Sequence, residues 1–335
     1  MSNSDIRWGV IGAGDVVERK SGMPLKTLNG SSWTALMRRN LDEGRRIARR
    51  FGVPNVYGKV SQILEDPRVN AVYIATPPSS HASLAIQALG AGKSVYLEKP
   101  MALNADEARL IVDAVAETGG KLTVAHYRRA LPAFLKVGEL LSSGAVGTPL
   151  FARIRVLQPT VSSIAAAEAD SWRLNPQVSG GGLFHDLSPH QLDLMLRWFG
   201  DMTEGSGRSA CLLGGDVGDG APDYVAGNMR LSTGVEFDGL WCFAVDSPDR
   251  SAEDCEIYGS TGRIRFSFFG EKIQLESSRN SEVFSFAKPE WIQESMIART
   301  VDYFLGDGPN PCSAEDGLET MRMMDALSGR NTHKK

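Results

Sequence analysis

Two textures along the chain predict its fold class. Through residues 6–125, short β-branched runs alternate with longer stretches of helical period, the pattern of a parallel sheet covered by helices. From about residue 148 the period drops to two: Val235, Phe237, Gly239, Trp241 and Phe243 fall on one face, Glu236 and Asp238 on the other. That alternation marks antiparallel sheet with one face covered. With a glycine turn placed directly after the first run, these observations predict an α/β chain. An N-terminal doubly wound parallel sheet is followed by an α+β domain containing a large, mostly antiparallel open sheet. At 335 residues the chain exceeds what one core usually supports, so domains are expected at 1–125 and 126–335, with C-terminal helices able to pack back on the first.

The parallel-sheet strands are expected at 6–11, 33–37, 71–75, 94–97 and 121–125. Between the second and third, Leu41, Ile47, Ala48 and Phe51 define one helical face. Arg45, Arg46, Arg49 and Arg50 lie off that face and read as a solvated surface, with Asp42 spaced to pair with Arg46, rather than as a phosphate site. In the second half, strands are expected at 149–157, 224–231, 254–258 and 263–268, and helices at 191–199, 291–305 and 314–327. The open sheet face must be covered by helices or by another subunit.

Composition excludes several function classes. With 42% hydrophobic and 23% charged residues and a net charge of −4, the chain has no basic excess for nucleic acid or an anionic membrane. The polar start, without a signal sequence, and the lack of any 18-residue apolar run predict a cytoplasmic protein acting on small molecules. Four cysteines (Cys211, Cys242, Cys255, Cys312) form no CxxC pair and read as reduced thiols. Five histidines without convergent ligand spacing predict no metal, and no GxSxG serine elbow is present.

The first strand runs into Gly12, Ala13, Gly14, Asp15 and Val16, where a helix can begin. Gly12 allows the bend, Gly14 lets the backbone approach a pyrophosphate, and the N–H groups opening the helix meet the phosphates. The third glycine or alanine of this fingerprint is replaced by Val17, which moves helix and strand slightly apart. At the end of the second strand, where NAD-specific sites usually present a carboxylate, the chain has Met37, Arg38, Arg39 and Asn40. Arg38 and Arg39 favour the 2′-phosphate of NADP, with NAD as the alternative.

Two more strand ends border the expected crevice: Ala75, Thr76 and Pro77 with His81 beyond, and Glu98, Lys99 and Pro100. A glycine triplet, Gly180 to Gly182, precedes Asp186 and His190, which share a face if the segment is one helix. Ser188 and Pro189 could instead start a new helix there. An imidazole oriented by a carboxylate is a suitable base for a hydroxyl proton, and a lysine ammonium can polarise the developing carbonyl. His126 and His185 compete for the base role.

Taken together, the glycine fingerprint, Glu98-Lys99-Pro100 and the triplet followed by Asp186 and His190 resemble the glucose-fructose oxidoreductase and inositol dehydrogenase (Gfo/Idh/MocA) family, in the same order over almost the whole chain. The resemblance implies an N-terminal Rossmann domain and a catalytic trio at Lys99, Asp186 and His190. It implies Thr76, Pro77 and His81 beside the nicotinamide, and Trp172 and Arg173 toward substrate. In the segment with Arg128, Tyr127 stands where the family commonly has asparagine, which bears on the substrate. The implied activity is hydride transfer between NADP or NAD and a hydroxyl-bearing carbon of a sugar, sugar derivative or cyclitol, in a homodimer or homotetramer built on the C-terminal sheet. The alternatives are an NAD-dependent glycosidase of the same fold and a non-catalytic NADP-binding regulator.

Overall fold

The computed structural model describes residues 5–160, 172–214, 220–278 and 281–330. Most of the polar start read above therefore lies outside the described residues. The chain divides into two compact units, one of residues 1–102, 106–129 and 289–318, the other of residues 103–105, 130–288 and 319–335.

In the first unit, β1 (Ile6–Ile11), β2 (Ser31–Met37), β3 (Asn55–Tyr57), β4 (Ala71–Ile74), β5 (Ser94–Leu97) and β6 (Leu122–Val124) form one sheet. Every pairing is parallel and the order is β3-β2-β1-β4-β5-β6. Covered on both faces, the central strands are almost continuously buried, as parallel strands must be. The order reverses between β1 and β4, which opens a crevice at their carboxyl ends. Helices α1 (Gly22–Thr27), α2 (Leu41–Phe51), α3 (Val60–Leu64), α4 (His81–Gly90) and α5 (Ala105–Thr118) make the connections. The side-chain oxygen of Asn40 caps α2 by accepting from the N–H groups of Asp42 and Glu43.

The arginines of α2 form a solvated surface, but with other partners than the spacing suggested. Asp42 pairs with Arg45 at 2.9 Å, while Arg46 reaches Glu43 and Glu18, and Arg50 also takes Glu18. Leu41, expected on the buried face, is exposed because it sits at the helix's first position, and Gly44 takes its place inside.

In the second unit, β7 (Pro149–Leu157), β8 (Met202–Ala210), β9 (Tyr224–Leu231), β10 (Glu236–Cys242), β11 (Ala252–Gly259), β12 (Gly262–Phe266), β13 (Lys272–Ser277) and β14 (Ser281–Ser285) form an eight-stranded sheet. Its order is β14-β13-β12-β11-β7-β10-β9-β8. All pairs are antiparallel except β10 with β7. Val235, Phe237, Gly239, Trp241 and Phe243 are all buried. Helices α6 (Pro132–Ser142), α7 (Pro176–Ser179), α8 (Gly182–Leu187) and α9 (Pro189–Phe199) belong to this unit, as do residues 319–327 of the chain's last helix. Two of them cover the inner face: Phe134 of α6 packs on Phe266 and Phe268, and Trp198 of α9 packs edge-on against Phe266. Trp241 donates its indole N–H to Gln191 at 2.6 Å. The outer face carries Arg153, Arg155, Asp238 and Glu256.

The chain then returns to the first unit with α10 (Glu294–Leu305), whose Phe304 ring lies 5.8 Å from that of Trp8 on β1. Lys121 donates to the carbonyls of Tyr303 and Phe304 at the end of α10. The last helix is α11 (Ala314–Leu327). Among the described residues, no helix is long and apolar enough to cross a membrane.

Candidate active site

The carboxyl ends of β1, β4 and β5 are stitched together by their first exit residues. Gly12 N–H donates to the Met37 carbonyl, Ala75 N–H to Ile11 and Glu98 N–H to Ile74, at 2.9 to 3.0 Å. At this edge Gly12 has φ of +78°, and a Cβ there would lie 2.6 Å from the Thr76 methyl group. Only glycine fits both constraints. Gly14 is different: a Cβ on it would meet nothing within 4 Å. That open backbone beside the start of a helix is the shape a dinucleotide pyrophosphate requires, so the residues fit the cofactor. Ala13 is buried, and Asp15 is exposed and pairs with Arg19. Val17 is fully buried and begins a π-turn, Val17–Ser21. The wider turn accommodates a valine where the fingerprint has a smaller residue.

No carboxylate stands at the end of β2. Arg38 folds back and donates from its guanidinium to the Ala13 carbonyl, bracing the glycine turn, while Arg39 is exposed.

At the end of β5, Glu98 is buried and Lys99 half-buried. The Glu98 carboxylate accepts from the Tyr73 hydroxyl at 2.5 Å, the Gln293 amide at 2.7 Å and the Lys99 N–H at 3.2 Å. Burial, with the Glu98 charge, pushes the Tyr73 and Tyr96 hydroxyls well above the ordinary tyrosine range, so both remain protonated donors. Glu98 was expected to face the cofactor, but its carboxylate is turned into the sheet because the donors are there.

His81 also differs from expectation. It is fully buried, with one ring nitrogen 2.9 Å from the Pro100 carbonyl oxygen and the other 2.8 Å from that of Thr76. A neutral imidazole donates to one of these carbonyls and only lies against the other, and the ring packs between the exits of β4 and β5. Burial is the main influence on its pKa and lowers it, against the two backbone contacts. Pro77 is half-buried and Pro100 buried. Tyr127 and Arg128 are buried in the same unit, with the Arg128 guanidinium 5.6 Å from the Tyr127 ring centre.

In the second unit the glycine triplet leads into α8. A Cβ on Gly181 would lie 2.2 Å from His185 Nδ1, so this glycine lets the imidazole pack flat on the backbone. Burial, reinforced by the charge of Arg330, holds the His185 pKa down to about 3. Such an imidazole is too weak a base for proton transfer near neutral pH.

Asp186 lies in α8 and His190 in α9, which begins at Pro189 as the second of the two readings had it, so the residues do not share one helix, although Asp186 is itself helical. Ser188 keeps helical torsions, and its N–H still donates to Phe184. The Asp186 carboxylate accepts from Arg173 Nε at 3.2 Å. The Arg173 guanidinium in turn stacks 4.8 Å from the ring centre of Trp172, which is exposed. This Trp172–Arg173–Asp186 chain was not foreseen as a connected unit, since sequence spacing carries no signal for it. Tyr73 and Gln293 were likewise missed. A tyrosine inside an aliphatic buried strand signals a needed hydroxyl partner, whereas nothing local marks Gln293.

The fold and the glycine-turn edge define a dinucleotide-binding oxidoreductase. Residues 6–126 match the oxidoreductase family with NAD-binding Rossmann fold, and residues 134–265 match the GFO/IDH/MocA C-terminal domain. An oxidoreductase from Formosa agariphila is 41% identical over 327 residues, 97% of this chain and 99% of the relative. The 1,5-anhydro-D-fructose reductase of Ensifer adhaerens is 26% identical over 93% of this chain and 92% of its own. A levoglucosan dehydrogenase solved in complex with NADH and levoglucosan shares the fold with a TM-score of 0.83 over 96% of each chain, at 22% identity. The chain belongs to the Gfo/Idh/MocA family of NAD-binding oxidoreductases.

Two outcomes follow for the glycine turn and for His185. Gly12→Ala should lose about 1–3 kcal/mol of stability from strain at positive φ alone. Gly14→Ala should leave the thermal midpoint unchanged yet weaken NAD(P)H binding about tenfold or more, because its methyl group enters the phosphate space. Fluorescence titration reads the second effect, and wild-type affinity in Gly14→Ala would show that the open space is not the phosphate site.

His185 has a folded pKa of about 3 against an ordinary 6.5, so the unfolded chain takes up its proton first as pH falls. Its contribution is complete above about pH 6.5 and is lost progressively down to about pH 3. Between pH 7 and pH 5 the loss is about 2 kcal/mol. Urea denaturation at the two pH values should show that slope in the wild type and its disappearance in His185→Gln. Equal slopes in both proteins would contradict the assignment.

Proposed function

We propose that the protein transfers a hydride between a nicotinamide dinucleotide and a hydroxyl-bearing carbon of a sugar or anhydrosugar. The single observation that carries this reading is the glycine-turn edge, where open backbone at Gly14 lies beside strand exits that deliver Lys99. The anhydrofructose reductase and the levoglucosan dehydrogenase among its relatives support a sugar or anhydrosugar as the substrate class.

Gly12 to Val16 would hold the pyrophosphate, with the exits at Ala75, Thr76, Pro77 and Pro100 lining the nicotinamide end. The bound dinucleotide supplies or accepts the hydride. Lys99 Nζ would polarise the substrate oxygen, and His190 would take the hydroxyl proton when the dinucleotide accepts the hydride and return it to the carbonyl oxygen when the dinucleotide supplies it, with Asp186 setting the local charge. Arg173 divides its charge between Asp186 and the Trp172 ring, so that the exposed ring can receive the C–H face of a sugar while the charged groups take its hydroxyls. We assign NADP as the preferred dinucleotide: Arg39 and the Arg38 guanidinium edge not turned to Ala13 would meet the 2′-phosphate where no carboxylate opposes it.

A panel of anhydrosugars, sugars, sugar lactones and inositols, each with NAD and NADP, tests the reading through absorbance of the reduced dinucleotide. Turnover with an anhydrosugar or sugar, faster with NADP and lost in Lys99→Met, is expected. Release of free sugar from a glycoside without net dinucleotide turnover would favour the glycosidase, and turnover of inositols alone would move the substrate to the cyclitols.

We also infer that the outer face of the eight-stranded sheet joins copies of this chain. Across it, Glu256, Arg153 and Asp238 stand in cross-strand register, so charges alternate in sign and a second copy can complement them. Light scattering should show a dimer or tetramer that Arg153→Glu weakens, whereas a monomer at low salt would remove the assignment.

A further inference from the structure

We propose that Tyr73 and Gln293 are positioning residues that fix Lys99 through the buried Glu98 carboxylate. The proposal rests on the assignment of Lys99 to the chemistry. Lys99 occupies a chain segment pinned on both sides by buried polar groups. On the preceding side, Glu98 Oε1 takes the hydroxyl of Tyr73 and the amide of Gln293, and its Oε2 takes the N–H of Lys99 itself. On the following side, the Pro100 carbonyl faces a ring nitrogen of His81.

The donors are themselves held in place. Tyr73 Oη accepts from Ser21 Oγ at 3.3 Å, and Ser21 Oγ also lies 3.3 Å from the Val16 carbonyl at the glycine turn. Gln293 Oε1 accepts from the Tyr96 hydroxyl at 3.0 Å, and the Gln293 backbone N–H donates to the Lys20 carbonyl at 3.2 Å. A continuous set of hydrogen bonds therefore runs from the helix behind the glycine turn to the backbone of Lys99.

Apolar side chains of equal volume would close the sheet edge at least as well, since a buried charge is costly unless fully satisfied. What a satisfied polar network adds is a single arrangement. Lys99 gains from that arrangement, because a polarising ammonium loses its effect when displaced by an ångström. Glu98, Tyr73 and Gln293 touch neither substrate nor dinucleotide in this account, and their effect reaches the reaction only through where Lys99 is held.

The test uses Tyr73→Phe and Gln293→Met in the full chain, with Glu98→Gln and Lys99→Met as references. Tyr73→Phe preserves ring packing, and Gln293→Met keeps the proposal open to test should the first variant fold poorly. Amide hydrogen exchange should accelerate about tenfold at residues 98–102 and stay unchanged at β1 and β2. The dissociation constant for NADPH, read by fluorescence, should stay within about twofold, while kcat falls about ten- to a hundredfold. The primary isotope effect with deuterated nicotinamide should rise, which a loss of folded protein would not produce. The double variant should fall no further than Glu98→Gln, because all three act through one carboxylate. Unchanged exchange and kcat in both variants, with Lys99→Met inactive, would overturn the positioning role alone. Parallel losses of kcat, NADPH affinity and thermal midpoint would reduce the network to a structural one and overturn it equally. Full turnover in Lys99→Met would overturn the assignment of Lys99, and the positioning role with it.

Discussion

A carboxylate buried at the exit of β5 is the constraint around which the first unit is arranged. Glu98 is 5% exposed, and leaving such a charge unsatisfied costs on the order of several kcal/mol. Its donors must therefore come from nearby elements, and they do: Tyr73 from β4 and Gln293 from the turn before α10. This requirement gives residues 289–318 a chemical reason to belong to the first unit, beyond the packing of Phe304 on Trp8. It also explains tyrosines at the third position of β4 and of β5, strands that are otherwise apolar or small in sequence.

The same edge combines a closed floor with an open rim. Beneath it, His81 fills the space between the Thr76 and Pro100 carbonyls, and Gly12 lets the turn press against Thr76. Above it, Gly14 leaves space where a side chain would otherwise be. Rigidity below and vacancy above are what a dinucleotide site needs, because a ligand held by backbone N–H groups requires that backbone to be in place beforehand. Arg38 contributes to the same end by bracing Ala13, which turns a residue chosen for its charge into part of the scaffold as well.

Much of this was legible in the residues, and the illegible parts have identifiable physical causes. β1, β7, β9 and α11 are readable to the residue because burial on one or both faces forces their hydrophobic period. β8 is not, since Met202–Ala210 is mostly glycine, serine and charge, with no apolar face to betray it. β3, β13 and β14 also escape, as short or outlying strands whose pairing comes from neighbours. At the site, Gly12, Gly14 and Lys99 stand on the expected strand ends, because the doubly wound topology dictates where ligands can approach. The Glu98–Gln293 bond could not be read, as it joins groups 195 positions apart. His81 and Glu98 sat at the right edge but faced inward, and only the location of donors and acceptors decides that.

Histidine illustrates how environment, rather than residue type, assigns chemistry here. An imidazole can act as a base only where its protonated form is tolerated. At His185 burial and the Arg330 charge refuse the proton, so the ring serves as an apolar plate against Gly181. At His81 the ring lies between two carbonyl oxygens and can donate to one of them, so it serves as a brace. His190 stands at the second position of a different helix, four residues after the Asp186 carboxylate, which accepts from Arg173 at 3.2 Å. Of these three rings, His185 and His81 are taken up by packing, and the break at Ser188 and Pro189 separates His190 from the helix that holds His185.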